Sequence, residues 1–167
     1  ENMKKIFVLI ALTLCAAIML FKVNAKNDIV RIHIRAASDS EYDQQVKIQV
    51  RDGINEYLAP KLKDVKMKKQ AEKVIFEELS EIEKIGESIA GCDVSARLTQ
   101  ENFPEKTYGN KTYPAGEYTA LIIEIGGGEG RNWWCVAFPP MCYTTNESGK
   151  TQYRSLIYDF LERIGLI

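Results

Sequence analysis

The chain has 167 residues, which is enough for one domain with a genuine hydrophobic core. It carries 22 basic and 23 acidic residues and a formal net charge of −1 at pH 7, which argues against a nucleic-acid-binding protein. The same balance argues against tight electrostatic binding to an anionic membrane surface. One histidine, and four cysteines without a CxxC motif, argue against a zinc site. We therefore predict neither a metal ion nor a cofactor.

Residues 1–25 form a segment separate from the rest. Lys4 and Lys5 precede an uncharged apolar run at 6–21, and Val23-Asn24-Ala25 offers a cleavage site. This is the pattern of a secretory signal peptide. The run is shorter than the roughly 20 residues of a membrane-spanning helix, so we predict cleavage and a secreted protein. The alternative is an uncleaved anchor that keeps the protein close to the membrane.

The first predicted strand covers residues 28–37. From Val30 onward apolar and polar residues alternate strictly, so we expect one buried face and one face in water. The polar positions are Arg31, His33 and Arg35, and His33 is therefore expected to be exposed.

Two long helices follow. Ser40 and Asp43 fit a capping box at the start of the first helix, and Pro60 is expected to end it. The second helix is predicted as one piece at 66–90, with Gly91 at its C-terminal cap. Each carries an apolar stripe, so both are expected to pack on one face of a sheet.

Three further strands are predicted at 93–99, 117–125 and 131–138, with a glycine-rich hairpin turn at 126–130. A turn-rich connection of the kind that is often functional covers 102–116. The main domain is predicted at 26–144. Residues 145–167 form a polar linker and an amphipathic helix at about 152–164.

The order βααβββα predicts an α+β fold. We expect a mostly antiparallel four-stranded sheet, with two long helices on one face and a C-terminal amphipathic helix. The strand order stays open, because two helices separate the first strand from the second.

Both tryptophans lie in the last predicted strand. Side chains alternate along a strand, so Trp133 and Trp134 are expected on opposite faces. Pro139 and Pro140 must end this strand, since proline has no N–H for the ladder. A disulfide between Cys135 and Cys142 would close a short loop over that turn.

Aromatic residues are concentrated in the same third of the chain. Tyrosine and tryptophan are frequent anchors at protein interfaces, although each one alone is more often a core residue. As a group they predict a partner-binding patch of Tyr108, Tyr113, Trp133, Trp134 and Phe138.

Catalytic chemistry is less well supported. His33 and Cys135 could serve as base and nucleophile, which makes a secreted cysteine-dependent hydrolase an alternative function. However, nothing identifies a third residue that would orient the histidine. We therefore predict no catalytic residues and no enzyme. A wall-associated interaction module tethered to the membrane is a further alternative.

Several motifs resemble the stage II sporulation protein R family. They are Tyr108-Gly109-Asn110, the run from Tyr113 to Tyr118, the run from Asn132 to Cys142, the segment from Arg31 to Ser40, and Val50-Arg51-Asp52. The resemblance covers about 28–142 and departs at the C-terminus, where the polar linker before the last helix is short.

The resemblance implies a secreted signal that is made in the forespore. It would act in the space between the forespore and mother-cell membranes. Its implied partner is a membrane-embedded aspartic protease, stage II sporulation protein GA, which removes the pro-segment of a sporulation sigma factor. The resemblance implies no individual contact residues.

Overall fold

The computed structural model describes residues 10, 12–14, 28–108 and 111–141. Among them no helix is both long and apolar enough to cross a membrane. The predicted C-terminal helix at 152–164 and most of the predicted signal peptide lie outside the described residues.

Residues 28–141 alternate between helices and strands in a way that confirms the α+β class. The elements are β1 (Val30–Arg35), α1 (Glu41–Leu62), α2 (Lys68–Glu77), α3 (Leu79–Ala90), β2 (Val94–Phe103), β3 (Lys106–Tyr108), β4 (Lys111–Tyr113), β5 (Gly116–Ile125) and β6 (Asn132–Phe138). A four-stranded sheet has the order β2-β5-β1-β6, and β3 and β4 form a separate two-stranded ribbon.

The sheet is mixed, which corrects the prediction of a mostly antiparallel one. β2 and β5 are antiparallel, as are β1 and β6, but the two central strands β1 and β5 run parallel. Parallel neighbours need a long crossover connection. Here the chain between β1 and β5 supplies one, because it includes α1, α2, α3 and the ribbon.

Both faces of the sheet are covered around the central strands β1 and β5, although the alternation in β1 predicted one face in water. Arg31 is 0% exposed and His33 is 4% exposed, so the prediction of an exposed histidine was wrong. The physical reason is that tyrosines of the ribbon lie against Arg31 on that face, and the rings of Phe103 and Trp134 lie against His33. The run Ala120-Leu121-Ile122-Ile123 in β5 is buried throughout, as expected for a strand covered on both sides.

The first helix begins as predicted and ends later than predicted, whereas the end at Ala90, with Gly91 as a left-handed C-terminal cap, is confirmed. The Ser40 hydroxyl accepts a hydrogen bond from the Asp43 N–H at 3.1 Å, which confirms the cap. Pro60 lies inside α1, because the helix continues to the fully buried Leu62. The predicted second helix is broken at Glu78, whose carboxylate accepts hydrogen bonds from Tyr57 and Lys61 of α1.

We call the side of the sheet that carries Val94 and Trp133 the helix face, and the other side, which carries Arg31 and Trp134, the ribbon face. On the helix face, Gly86 of α3 approaches so closely that an added Cβ would lie 2.7 Å from Val94. α3 also reaches around the edge of the sheet. The Glu83 carboxylate accepts a hydrogen bond from the backbone N–H of Ala96 in the edge strand β2 at 2.9 Å.

Candidate functional site

The two tryptophans lie on opposite faces of the sheet, which confirms the prediction from alternation. In β6 Trp133 is paired with Ile34 and Trp134 with His33. On the helix face, the Arg51 guanidinium carbon lies 5.5 Å from the ring centroid of Trp133. On the ribbon face, the His33 ring centroid lies 5.2 Å from that of Trp134, and the Lys106 ammonium nitrogen lies 4.5 Å from the same indole ring. Both indoles are half-buried.

Arg31 occupies a cage of aromatic rings on the ribbon face. Its guanidinium carbon lies 4.6 to 5.8 Å from the centroids of four rings, those of Phe103, Tyr118, Tyr113 and Tyr108. Its Nε donates to the backbone carbonyl of Cys135 at 3.0 Å. Among the described residues no carboxylate pairs with it, and burial lowers the pKa of this guanidinium.

The cage fastens the ribbon to the sheet, because its rings come from different elements. Tyr108 and Tyr113 belong to the ribbon, whereas Phe103 and Tyr118 belong to β2 and β5. The Tyr108 hydroxyl also donates to the Trp134 backbone carbonyl at 2.7 Å. Burial raises the pKa of Tyr113 to about 12, so this ring stays neutral beside the cation. Cation–π contacts in such dry sites contribute about 2 kcal/mol.

A network of charged and polar side chains lies beside the cage. His33 contacts Glu101 through Nδ1 at 3.0 Å and Asn132 through Nε2 at 2.9 Å. Arg35 forms salt bridges with Glu101 and Glu124. A hydrogen bond from Arg97 and the nearby charge of Arg35 lower the pKa of Glu124. The network ties β1 to β2, β5 and β6.

Comparison with known proteins identifies the family of this chain. The family model described as stage II sporulation protein R matches residues 26–148. The chain belongs to the stage II sporulation protein R family. A curated relative of that name from Bacillus subtilis strain 168 is 40% identical over 126 residues, which cover 72% of this chain and 56% of the relative. The chain therefore spans about half the length of the curated relative that it matches. No solved structure matches it.

The aromatic residues of the predicted patch occupy different environments within this family member. Tyr113 and Phe138 are buried, and the Tyr113 hydroxyl donates to the Met141 sulfur. Trp133 lies on the helix face. Tyr108 and Trp134 share the ribbon face and are partly accessible. Partner binding by the set stays a prediction, and its accessible part on the ribbon face is Tyr108 with Trp134.

Sequence reasoning missed Arg31 and Lys106 as parts of the site. Arg31 was assigned to the wet side of β1, because alternation does not report what covers a polar face. The apolar run at 120–123 was the available signal, since a strand without alternation is buried on both sides. No sequence pattern indicated Lys106, because its contact with Trp134 joins elements far apart in the chain.

Cys135 is buried and disulfide-bonded. The other sulfur of this bond lies outside the described residues, so the pairing with Cys142 stays a prediction. His33 does not meet Cys135, because the β1–β6 register pairs His33 with Trp134 and Ile32 with Cys135, on opposite faces. The base and nucleophile of the hydrolase alternative are therefore separated by the sheet. Cys92 is exposed and free, and no group of metal-binding residues occurs among the described residues.

Proposed function

We propose that this chain is a secreted sporulation signal that activates stage II sporulation protein GA, the membrane-embedded protease that processes a pro-sigma factor in the mother cell. The observation that carries the proposal is the family match over residues 26–148. The export pattern at 1–25 supports delivery to the space between the forespore and mother-cell membranes.

The signal acts by binding rather than by chemistry. An activator shifts a protease toward its active form only by the difference between its affinities for the active and inactive forms. The contact surface must therefore fit one form of the protease better than the other. A rigid surface serves this purpose well, because little entropy is lost when it binds.

The ribbon face supplies the contact surface. Trp134 is half-buried and held between His33 and Lys106, and Tyr108 is fixed by its hydrogen bond to the Trp134 carbonyl. Such pre-positioned tryptophan and tyrosine side chains are the common energetic anchors of protein interfaces. Trp133 contributes to stability instead, because it lies on the helix face against Arg51.

The test is co-expression of this chain with the protease and its pro-sigma substrate in a host that does not sporulate. The wild-type chain is expected to trigger processing. Trp134→Ala is expected to reduce processing about tenfold or more, the loss typical of an interface anchor, and to lower the thermal unfolding midpoint without unfolding the chain at the assay temperature, because the indole is half-buried. Immunoblotting of the substrate and thermal unfolding of the purified chain measure the two effects.

Trp133→Ala is the matched control, because it removes the same side chain from the other face. It is expected to lower thermal stability. At temperatures where this variant is folded, it is expected to support processing as the wild-type chain does. A wild-type chain that fails to trigger processing would contradict the proposed function. A folded Trp134→Ala chain that signals at full strength would contradict only the choice of the ribbon face.

A further inference from the structure

The ribbon carries an unbalanced positive charge. Its two strands contain Lys106 and Lys111 and no acidic residue, whereas the whole chain has a formal net charge of −1. Neither lysine forms a salt bridge or donates a hydrogen bond to another described residue. Glu105, which precedes Lys106 in the chain, is exposed and does not pair with it. Two unpaired ammonium groups are therefore concentrated on one small element.

The arginines of the ribbon face are already neutralised or buried. Arg35 forms salt bridges with Glu101 and Glu124. Arg97 forms a salt bridge with Glu124 as well. Arg31 is fully buried in its aromatic cage. Among the described lysines and arginines of this face, the two ribbon lysines are therefore the ones left for a partner to neutralise.

The strand register places these lysines beside the accessible aromatic residues. It pairs one lysine with each tyrosine of the ribbon, Lys106 with Tyr113 and Lys111 with Tyr108. Paired residues share a face, so all four side chains lie on the side of the ribbon that faces the sheet. The Lys106 ammonium nitrogen lies 4.5 Å from the ring centroid of Trp134. A partner that reaches Trp134 therefore meets the Lys106 ammonium at the same time.

An aromatic ring holds an ammonium group without satisfying its hydrogen bonds. The ring face of Trp134 attracts the positive charge, and this contact restricts the conformations of the Lys106 side chain. A lysine ammonium has three N–H donors, and among the described residues no oxygen accepts from those of Lys106. A carboxylate can bind such a group through a charge-assisted hydrogen bond. Lys106 is therefore positioned to receive a carboxylate.

We propose that the ribbon face recognises an acidic segment of its partner, with an aspartate or glutamate carboxylate bound to Lys106 and an apolar side chain packed against Trp134 and Tyr108. This inference rests on the proposed function, because the partner is the protease named there. Lys111 is exposed on the same ribbon and extends the positive surface toward the same segment.

The charged and the aromatic contacts contribute to recognition in different ways. Aromatic anchors supply most of the affinity of a typical interface. Opposite charges across an interface mainly raise the association rate and exclude partners that present a basic segment. Because salt screens exposed charges, association with the protease is expected to slow as the salt concentration rises.

Charge reversal in the co-expression assay tests the inference. Lys106→Glu is expected to reduce processing of the pro-sigma factor about tenfold or more, because it places a second carboxylate against that of the partner. Lys106→Arg keeps the charge and is expected to lose less than about threefold. Lys69→Glu is the matched control, because Lys69 is exposed on α2 and forms no described salt bridge. It makes the same change in net charge and is expected to leave processing unchanged.

Zero-length crosslinking locates the carboxylate and uses the wild-type chain. A carbodiimide joins a lysine amine to a carboxylate in contact with it. Mass spectrometry of the complex with the detergent-solubilised protease then identifies the linked residues. An isopeptide bond between Lys106 and an aspartate or glutamate of the protease is expected, and no bond from Lys69 is expected.

The outcomes separate this inference from the proposed function. A wild-type chain that triggers no processing would overturn both. With an active wild type, four results would each overturn the acidic segment alone. They are a folded Lys106→Glu chain that signals at full strength, a loss in Lys106→Arg or Lys69→Glu as large as that in Lys106→Glu, crosslinks from Lys69 in place of Lys106, and no crosslink from Lys106. Thermal unfolding of each purified variant shows which chains are folded.

Discussion

Arginine side chains on the ribbon face are stabilised in two different ways. Arg31 is fully buried and lies against aromatic rings, where a cation–π contact strengthens because water is absent. Arg35 and Arg97 are partly exposed and lie against the carboxylate of Glu124. Ion pairs at that level of exposure contribute little individually and gain from being joined into a network. Arg31 therefore holds the ribbon against the sheet, whereas the ion-pair network joins neighbouring strands beside it.

The Glu124 carboxyl should make stability depend on pH. Arg97 and Arg35 lower its folded-state pKa below the ordinary value of 4.5. A lowered pKa adds stability above the unfolded-state pKa, and that stability is lost as the pH falls through the folded-state value. We expect wild type to be more stable than Glu124→Gln at neutral pH, and the difference to shrink as the pH falls below 4.5. Urea unfolding at a series of pH values measures it.

Glu87→Gln provides the control for this titration, because Glu87 is exposed on α3. Its difference from wild type is expected to stay small at every pH. A Glu124→Gln difference that remained constant between neutral and acidic pH would contradict the assigned role of the network.

At the scale of elements, close backbone contacts at Gly130 hold the turn before α1 against the start of β6. Its N–H donates to the Ala36 carbonyl at 2.8 Å, and the next N–H, that of Arg131, donates to Asp39 at 2.7 Å. An added Cβ at Gly130 would lie 2.2 Å from the Ser38 carbonyl oxygen. Backbone atoms cannot move aside cheaply, so this contact requires glycine.

Gly130→Ala is therefore expected to lower the free energy of unfolding by about 1–3 kcal/mol. Gly127→Ala in the same turn is the matched control, because its Cβ would meet nothing closer than Glu129 at 3.6 Å. It is expected to change stability by less than about 1 kcal/mol. Denaturant unfolding of both variants measures this, and equal losses would show that close packing at Gly130 is unimportant.

Local patterns predicted the elements better than their arrangement. Alternation located β1 and assigned the two tryptophans to opposite faces, because side-chain direction depends only on the strand itself. It could not predict the parallel pairing of β1 with β5, which joins residues far apart in the chain. The ribbon was missed because three-residue strands are too short to show a period. Without the ribbon, the burial of Arg31 and the accessible position of Trp134 could not be inferred.

At the scale of the whole molecule, the disulfide of Cys135 joins the sheet to a part of the chain outside the described residues. We expect peptide mapping of the unreduced protein to find Cys135 linked to Cys142, and Cys92 to be alkylated without reductant, since it is exposed and free. Closing so short a loop contributes about 2–3 kcal/mol, so reduction should lower stability by that amount. A mapped bond from Cys135 to any other cysteine would contradict the pairing, and unchanged unfolding after reduction would contradict its stabilising effect.

The contact between the Glu83 carboxylate of α3 and the edge strand β2 affects how readily the protein self-associates. An edge strand offers unpaired backbone groups to any other strand, which is how native proteins begin to aggregate. Glu83 occupies the N–H of Ala96 and so blocks one of these groups. Because Glu83 belongs to α3, the Ala96 N–H is occupied only while that helix is packed against β2. A chain that has lost α3 exposes the open edge of a ten-residue strand, so variants that loosen this helix should precipitate before they unfold completely.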